Sequence, residues 1–247
     1  ITGVVQAGSS LGILIPPSIM LVVMGDLLSI SVTDLFMTAL VPGLMLATLY
    51  IIYIFLKCRK HFKFNQNDTN SDKSITRIIM RGFLPATILI MLILGSIFSG
   101  LATPTEAAGV GAFGALILAA IKKRLTITKF WEMCDETIKT SGMIFGIFAG
   151  ATAFSYVFRS LGGDNLILNF MNGFSADPWL VISLLMLIVF ILGFFFDWIE
   201  ITLIVLPIFV PILNTLDFGN HIETAQILPW FAVIIAINLQ TSFLTPP

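Results

Sequence analysis

The octapeptide LGILIPPS, Leu11–Ser18, lies inside an apolar run that extends from Ile1 to Gly25. Pro16 and Pro17 both lack N–H groups, and each drives the residue before it toward extended geometry, so Ile15 and Pro16 are expected to leave the helix. A membrane-length segment therefore breaks near its middle. Just upstream, AGSSLG (Ala7–Gly12) supplies small residues whose backbone can be approached closely, together with the Ser9 and Ser10 hydroxyls. Carbonyls left without donors at that depth are tolerated only against protein or a polar cavity. One reading is a broken helix of the kind cation-coupled transporters use, with backbone oxygens for an ion and a freed helix N-terminus for an anion. The other is a proline kink packed against its neighbours.

Working outward, the chain is 57 % apolar and only 11 % charged over 247 residues, which excludes a soluble domain of ordinary composition. Uncharged runs recur at Leu35–Leu56, Gly82–Thr105, Ala107–Ile121, Thr140–Phe158, Pro178–Phe196, Ile201–Leu216 and Thr224–Pro247, most of them near the roughly 20 residues that a spanning helix needs. This is the pattern of an all-α, multi-pass protein of the lipid bilayer, and no nucleic-acid partner is expected. Of the 13 Lys and Arg, seven fall between Lys57 and Arg81, five between Lys122 and Lys139, and the last is Arg159. Both clusters are expected on the cytoplasmic side, and the two crossings between them, joined by a tight turn, satisfy that requirement.

The segment Phe62–Ser74, FKFNQNDTNSDKS, is the loop-like stretch that divides the chain. The expected organisation is residues 1–57 (broken helix 1–25, helix 35–57), a cytoplasmic linker at 58–81, and 82–247 (helices 82–103, 104–121 and 138–158, a hairpin over 178–215, and a broken helix over 225–247). Leu125–Thr137 mixes Phe130, Trp131 and Met133 with charges and reads as an amphipathic helix at the cytoplasmic interface. Pro178–Phe196 and Ile201–Leu216 are separated only by DWIE (Asp197–Glu200). They form either two full spans or a re-entrant hairpin, and the absence of Lys or Arg at the turn favours the buried tip. The chain starts without methionine and stops at LTPP within an apolar run, so it reads as a fragment of a transporter-sized protein.

Several motifs have plain structural readings. ATPTEAAG (Ala102–Gly109) puts Thr103, Pro104 and Glu106 at the N-cap, first helical position and N3, which is a capping box. Asp197 and Glu200 repeat the logic, although carboxylates at membrane depth also suit a functional role. Pro207 and Pro211 free the carbonyls of Leu203 and Pro207, giving curvature or ligation. Cys58 and Cys134 have no CxxC partner and indicate neither a disulfide framework nor a metal site.

The chain's end repeats the opening device. GSSLGILIPP (Gly8–Pro17) superposes on NLQTSFLTPP (Asn238–Pro247), each a polar stretch, a short apolar bridge and a double proline. By the crossing count the two run in opposite directions, which is the pattern of an inverted repeat with its site at the interface.

LGILIPPSIMLVV, PGLMLA, SGLATPTEAAGVGA, the FxxDxxEIxLIxLPIFxPI pattern around Asp197 and the terminal N-x-x-x-x-x-L-TPP resemble the large membrane subunit (DctM-like) of tripartite ATP-independent periplasmic (TRAP) transporters, over essentially the whole chain and corresponding to that subunit's C-terminal portion. The resemblance implies an elevator-type fold of the ion-transporter superfamily with inverted repeats, broken helices and a re-entrant hairpin. It implies a permease in the bacterial inner membrane rather than an enzyme. Such a permease takes an organic acid, of the C4-dicarboxylate or sialic acid class, from a periplasmic substrate-binding protein. It works with a small (DctQ-like) membrane subunit and with sodium as coupling ion, without a cofactor. Carried over by position, Gly8, Ser9, Ser10, Gly12 and Ile15 would contribute to one cation site. Gly193, Asp197, Asn238, Thr241, Ser242 and Thr245 would contribute to a second, with Pro16, Pro17, Pro246 and Pro247 making the breaks. The family often has glycine near Ser242. Competing readings are a sodium-coupled anion symporter of the same superfamily without a binding protein, an intramembrane aspartyl protease using Asp197 with a second carboxylate, and a non-transporting scaffold.

Overall fold

In the computed structural model, residues 2–58, 79–163, 165–166, 169 and 177–242 are described, and they contain helices and turns without a strand. The first helix, α1 (Thr2–Leu14), stops where the prolines dictate, and α2 (Ile19–Leu28) resumes after them. The break covers residues 15–18, with the Pro16–Pro17 peptide cis. Ser18 starts α2 as its N-cap and is 3 % exposed. Its hydroxyl donates to the carbonyl of Ile13, the carbonyl that Pro17 leaves without a helical donor, and accepts from the Leu21 N–H at 3.4 Å.

Beyond the break come α3 (Val32–Cys58), α4 (Leu84–Phe98, preceded by a π turn over Ile79–Phe83), α5 (Pro104–Ile121), α6 (Ile127–Ser160), α7 (Pro178–Leu192), α8 (Trp198–Leu213) and α9 (Ile227–Ser242). Val5–Leu28, Val32–Lys57, Pro104–Ile121 and Ile127–Ser160 are long and apolar enough to cross a membrane, whereas α4, α7, α8 and α9 are shorter apolar helices. The chain is thus an all-α polytopic membrane protein. The linker expected over 58–81 lies largely outside the described residues.

One expected boundary gives way. A separate interfacial helix over 125–137 followed by a crossing from 138 is instead one continuous helix, α6, of 34 residues. No Gly or Pro interrupts 127–141, and the Lys139–Glu136 pair at 3.4 Å and the Thr140 hydroxyl on the Glu136 carbonyl carry the helix through the boundary.

The chain divides into two compact units, Ile1–Leu44 with Glu136–Pro247, and Met45–Asp135. The division runs within α3 and within α6. In the smaller unit α4 and α5 form a hairpin. Gly100, at φ +72, turns the chain, and Gly111 and Gly114 let Ile93 and Leu89 lie directly against the α5 backbone.

The capping box is formed as expected: the Thr103 N–H donates to Glu106 Oε2 at 2.8 Å, and the Glu106 N–H donates to Thr103 Oγ1 at 3.3 Å. Thr103→Ala is expected to lower stability by about 1 kcal/mol, while Glu106→Gln, which keeps both halves of the box, stays within about 0.3 kcal/mol of the parent. Thermal unfolding in detergent micelles measures both. Equal losses in the two variants would count against the cap as the role of these residues.

In the larger unit α9 sits centrally. It packs against α1, α2, α7 and α8. Phe231, Ala232, Val233, Ile235, Ala236 and Leu239 are buried around it. The α8 helix is apolar and buried on most faces, as a helix enclosed by others must be. Ile199 and Leu203 of α8 join Ala151 of α6 in a core cluster against Val23 and Leu27 of α2. By contrast Val41, Leu44, Met45 and Leu49 of α3 are exposed apolar side chains, in keeping with a lipid-facing surface.

Candidate functional site

Residues assigned to the first site fall on one turn-and-a-half of α1 and the break after it. Gly8, Ser9 and Gly12 are exposed, Ser10 and Ile15 half-buried, and a Cβ added at Gly8 or Gly12 would meet nothing within 4 Å. Their backbone is therefore open to close approach. The Ser9 hydroxyl donates to the Gln6 carbonyl at 2.8 Å and the Ser10 hydroxyl to the Ala7 carbonyl at 3.1 Å, which leaves the oxygen lone pairs of both free to accept. Ile15, the first residue beyond α1, still donates its N–H to the Leu11 carbonyl at 3.0 Å. Pro16 removes the donor that the Gly12 carbonyl would otherwise meet. Pro16 itself is buried and Pro17 exposed.

The second set lies on the turn between α7 and α8 and on the last turns of α9. Gly193 is buried at the C-terminus of α7, where its N–H donates to the Val189 carbonyl at 2.9 Å. Asp197 is the N-cap of α8, with Oδ1 accepting from the Trp198 N–H at 2.8 Å. Asn238 donates through Nδ2 to the Met186 carbonyl at 2.6 Å, tying α9 to α7. The Thr241 hydroxyl donates to the Asn238 carbonyl at 2.7 Å. Ser242 is the last residue of α9, and Thr245, Pro246 and Pro247 lie outside the described residues. Thr103, Pro104 and Glu106 belong to the other unit.

The directions of the helices follow from their contacts. Trp179 and Trp230 approach with ring centroids 6.0 Å apart, and Met186 meets Asn238, so α7 and α9 run parallel. Phe218, which follows α8, packs on Trp179 at 5.3 Å and on Trp230 at 5.7 Å, so α8 runs antiparallel to both. An aromatic cluster, joined by His221 at 6.2 Å from Trp179, therefore closes one end of this layer. Gly193 and Asp197 lie at the opposite end, whereas Asn238 is level with Met186 midway along α7 and Thr241 about one turn nearer that end. Since α1 and α2 also pack on α9, and α2 on α8, the first break belongs to the same packed body.

Two residues outside the expected sets take structural parts. Ser18 closes the break. Arg159 Nη2 donates to the Pro207 carbonyl at 2.8 Å, the carbonyl for which Pro211 supplies no N–H. Thr202 and Gln240 are buried polar residues without hydrogen-bond partners. The Pro207 carbonyl was legible as a freed acceptor.

Across residues 1–247 the chain matches the family model described as "Tripartite ATP-independent periplasmic transporter, DctM component". It is 28 % identical over 253 residues to the C4-dicarboxylate TRAP transporter large permease protein DctM of Pseudomonas aeruginosa, covering 99 % of this chain and 55 % of that protein. It is 27 % identical to the sialic acid TRAP transporter large permease protein SiaM of Vibrio cholerae, covering 99 % of this chain and 55 % of that protein. It is 28 % identical to the 2,3-diketo-L-gulonate TRAP transporter large permease protein YiaN of Escherichia coli, covering 99 % of this chain and 56 % of that one. The chain therefore spans about half the length of these curated relatives.

Proposed function

We propose, from the premise that this chain belongs to the DctM component family of TRAP transporters, that it forms the part of a large permease in which an organic anion and sodium are held together for inward transport. The observation that carries the reading is the break at residues 15–18 inside the packed body formed by α1, α2, α7, α8 and α9. A helix interrupted where it contacts other helices supplies what an ion needs and a lipid-facing helix cannot: oxygen acceptors without hydrogen-bond donors. The Gly12 carbonyl and the lone pairs of Ser9 and Ser10 form an all-oxygen, uncharged donor set, which suits a hard monovalent cation. Gly193 and Asp197 at the tip of the α7–α8 hairpin, with Asn238 and Thr241 on the neighbouring turns of α9, supply a second group of oxygens.

With about 15 residues each, α7 and α8 reach roughly 22–24 Å, short of the roughly 30 Å hydrocarbon core, which supports a re-entrant hairpin over two full spans. Bound sodium and the N-termini of α2 and α8 supply positive potential to a carboxylate without a buried Lys or Arg. The chain works in the bacterial inner membrane with a small DctQ-like membrane subunit and receives its acid from a periplasmic binding protein. The substrate is an organic acid, the class named for the relatives. Movement is of the elevator type, one part of the permease carrying the bound pair.

Uptake in proteoliposomes holding the whole transporter with its binding protein is expected to require an inward sodium gradient. The double variant Ser9→Val/Ser10→Val is expected to lower the initial rate at least about tenfold, with the half-saturating sodium concentration raised. Uptake that is indifferent to sodium, or a double variant with unaltered sodium dependence, would remove the first site from this account.

A further inference from the structure

We propose that the turn between α5 and α6 binds an anionic phospholipid, with Lys122, Lys123 and Arg124 on the phosphate and Ile121, Ile127 and Trp131 beside the acyl chains. The three consecutive cations are exposed, and among the described residues no carboxylate pairs with any of them. Backbone hydrogen bonds fix the turn that presents them. The Lys123 N–H donates to the Ala120 carbonyl at 2.8 Å and the Arg124 N–H to the Ala119 carbonyl at 3.0 Å, closing α5 in the pattern that ordinarily has glycine at its left-handed position. Here that position is Lys123, at φ +53, so a cation stands where glycine would fold more easily.

The apolar half of the site lies beside the cations. Ile121 ends α5, and Ile127 and Trp131, four residues apart on one face of α6, are 73 % and 66 % exposed. The charged groups of α6 nearest the turn leave that pair clear. Lys129 lies about 200° round the helix from Ile127 and Glu132 about 100° round from Trp131, while Asp135 follows the Trp131 face but sits about 12 Å along the axis from Ile127.

Charge and polarity together select the ligand. A small soluble anion would neutralise the cations and leave the apolar side chains uncovered, and an apolar partner helix would do the reverse. A phospholipid meets both, and one with net negative charge is preferred because a zwitterionic headgroup carries its own ammonium against its phosphate. The length of α6 brings the turn within reach. Leaning at 40° with its far end at the opposite hydrocarbon boundary, the 34-residue helix sets Ile127 about 9 Å and Trp131 about 4 Å outside a core of about 30 Å, beside a headgroup layer of about 5–7 Å. Long Lys and Arg side chains span the remaining gap.

The test reconstitutes the whole transporter in phosphatidylcholine vesicles that also hold either phosphatidylglycerol or phosphatidylcholine brominated close to the headgroup. It compares quenching of the fluorescence that Trp131→Phe removes. In the parent, brominated phosphatidylglycerol is expected to quench that component at least about twice as strongly as brominated phosphatidylcholine, and about 0.5 M sodium chloride to remove the preference. The triple variant Lys122→Gln/Lys123→Gln/Arg124→Gln should remove it too. Lys123→Gly, which suits the positive φ and keeps the turn, should weaken it, whereas Lys129→Gln/Lys139→Gln, which removes two cations elsewhere on α6, should leave it intact. Equal quenching by the two lipids in the parent, a preference that survives salt, or a triple variant that keeps it would each overturn the site. Equal loss in Lys129→Gln/Lys139→Gln would reduce it to net charge. Inorganic phosphate abolishing the preference at constant ionic strength would make it a free-anion site, and no quenching by either lipid would mean that water or protein covers Trp131; both outcomes overturn the proposal. The salt response of the parent and Lys123→Gly decide the matter even if the triple variant does not assemble.

Discussion

Ser18→Ala is expected to destabilise the larger unit by about 2–3 kcal/mol, the largest effect of any single hydroxyl removed from this chain. Two backbone groups depend on that oxygen. The Ile13 carbonyl has lost its helical donor to Pro17 and accepts instead from Ser18 Oγ, and the Leu21 N–H, one of the orphan donors at the start of α2, reaches the same atom at 3.4 Å. With Ser18 only 3 % exposed, water cannot replace either bond. Alanine strands a buried carbonyl and a buried N–H at once. Threonine keeps the hydroxyl, so Ser18→Thr recovers most of the loss if its added methyl is accommodated. Thermal unfolding of the whole transporter in detergent micelles, followed by intrinsic fluorescence, reads the series. At this size the alanine variant should melt roughly 4–10 degrees lower, and one that melts within about a degree of the parent would show that the break holds its shape without Ser18.

The second large effect lies at Pro207 and Pro211 in α8. Arg159→Gln is expected to cost about 1–2 kcal/mol, reduced from a fully buried charged hydrogen bond because the guanidinium is exposed. The cause is Pro211. Having no N–H, it leaves the Pro207 carbonyl without its intrahelical donor, and Arg159 Nη2, 48 residues earlier in the chain, donates at 2.8 Å. This gives a double-mutant cycle with a definite sign. Pro211→Ala returns an N–H to the helix, so the Arg159→Gln penalty should shrink by about 1 kcal/mol in that background. Additivity within about 0.3–0.5 kcal/mol would dissociate the two residues, whatever else Arg159 touches.

Both results show what can be read from one sequence and what cannot. Each missing proline N–H has a fixed address: a proline at position i frees the carbonyl at i−4, so the break after Leu14 and the open carbonyl at Pro207 were both legible. The groups that answer them differ. Ser18 is adjacent and its role is local, whereas Arg159 becomes a partner only once α6 lies beside α8, and no local pattern encodes that. Thr103 and Glu106 were legible as a cap because a capping box closes within four residues. The start of α6 was misplaced because charges mixed with Phe130 and Trp131 look like a helix lying on a membrane, while the deciding fact was the lack of any residue able to end the helix before Lys139.

The length of α6 has a geometric consequence for how the chain meets its bilayer. At 34 residues it extends about 51 Å, and to sink wholly into a hydrocarbon layer of about 30 Å it would have to lean by about 54°, beyond the 0–40° found for membrane helices. Part of the rod must therefore project. The end that carries Lys129, Glu132, Asp135, Glu136 and Lys139 is the end that water accepts, so the first three turns of α6 stand clear of the hydrocarbon as a charged mast.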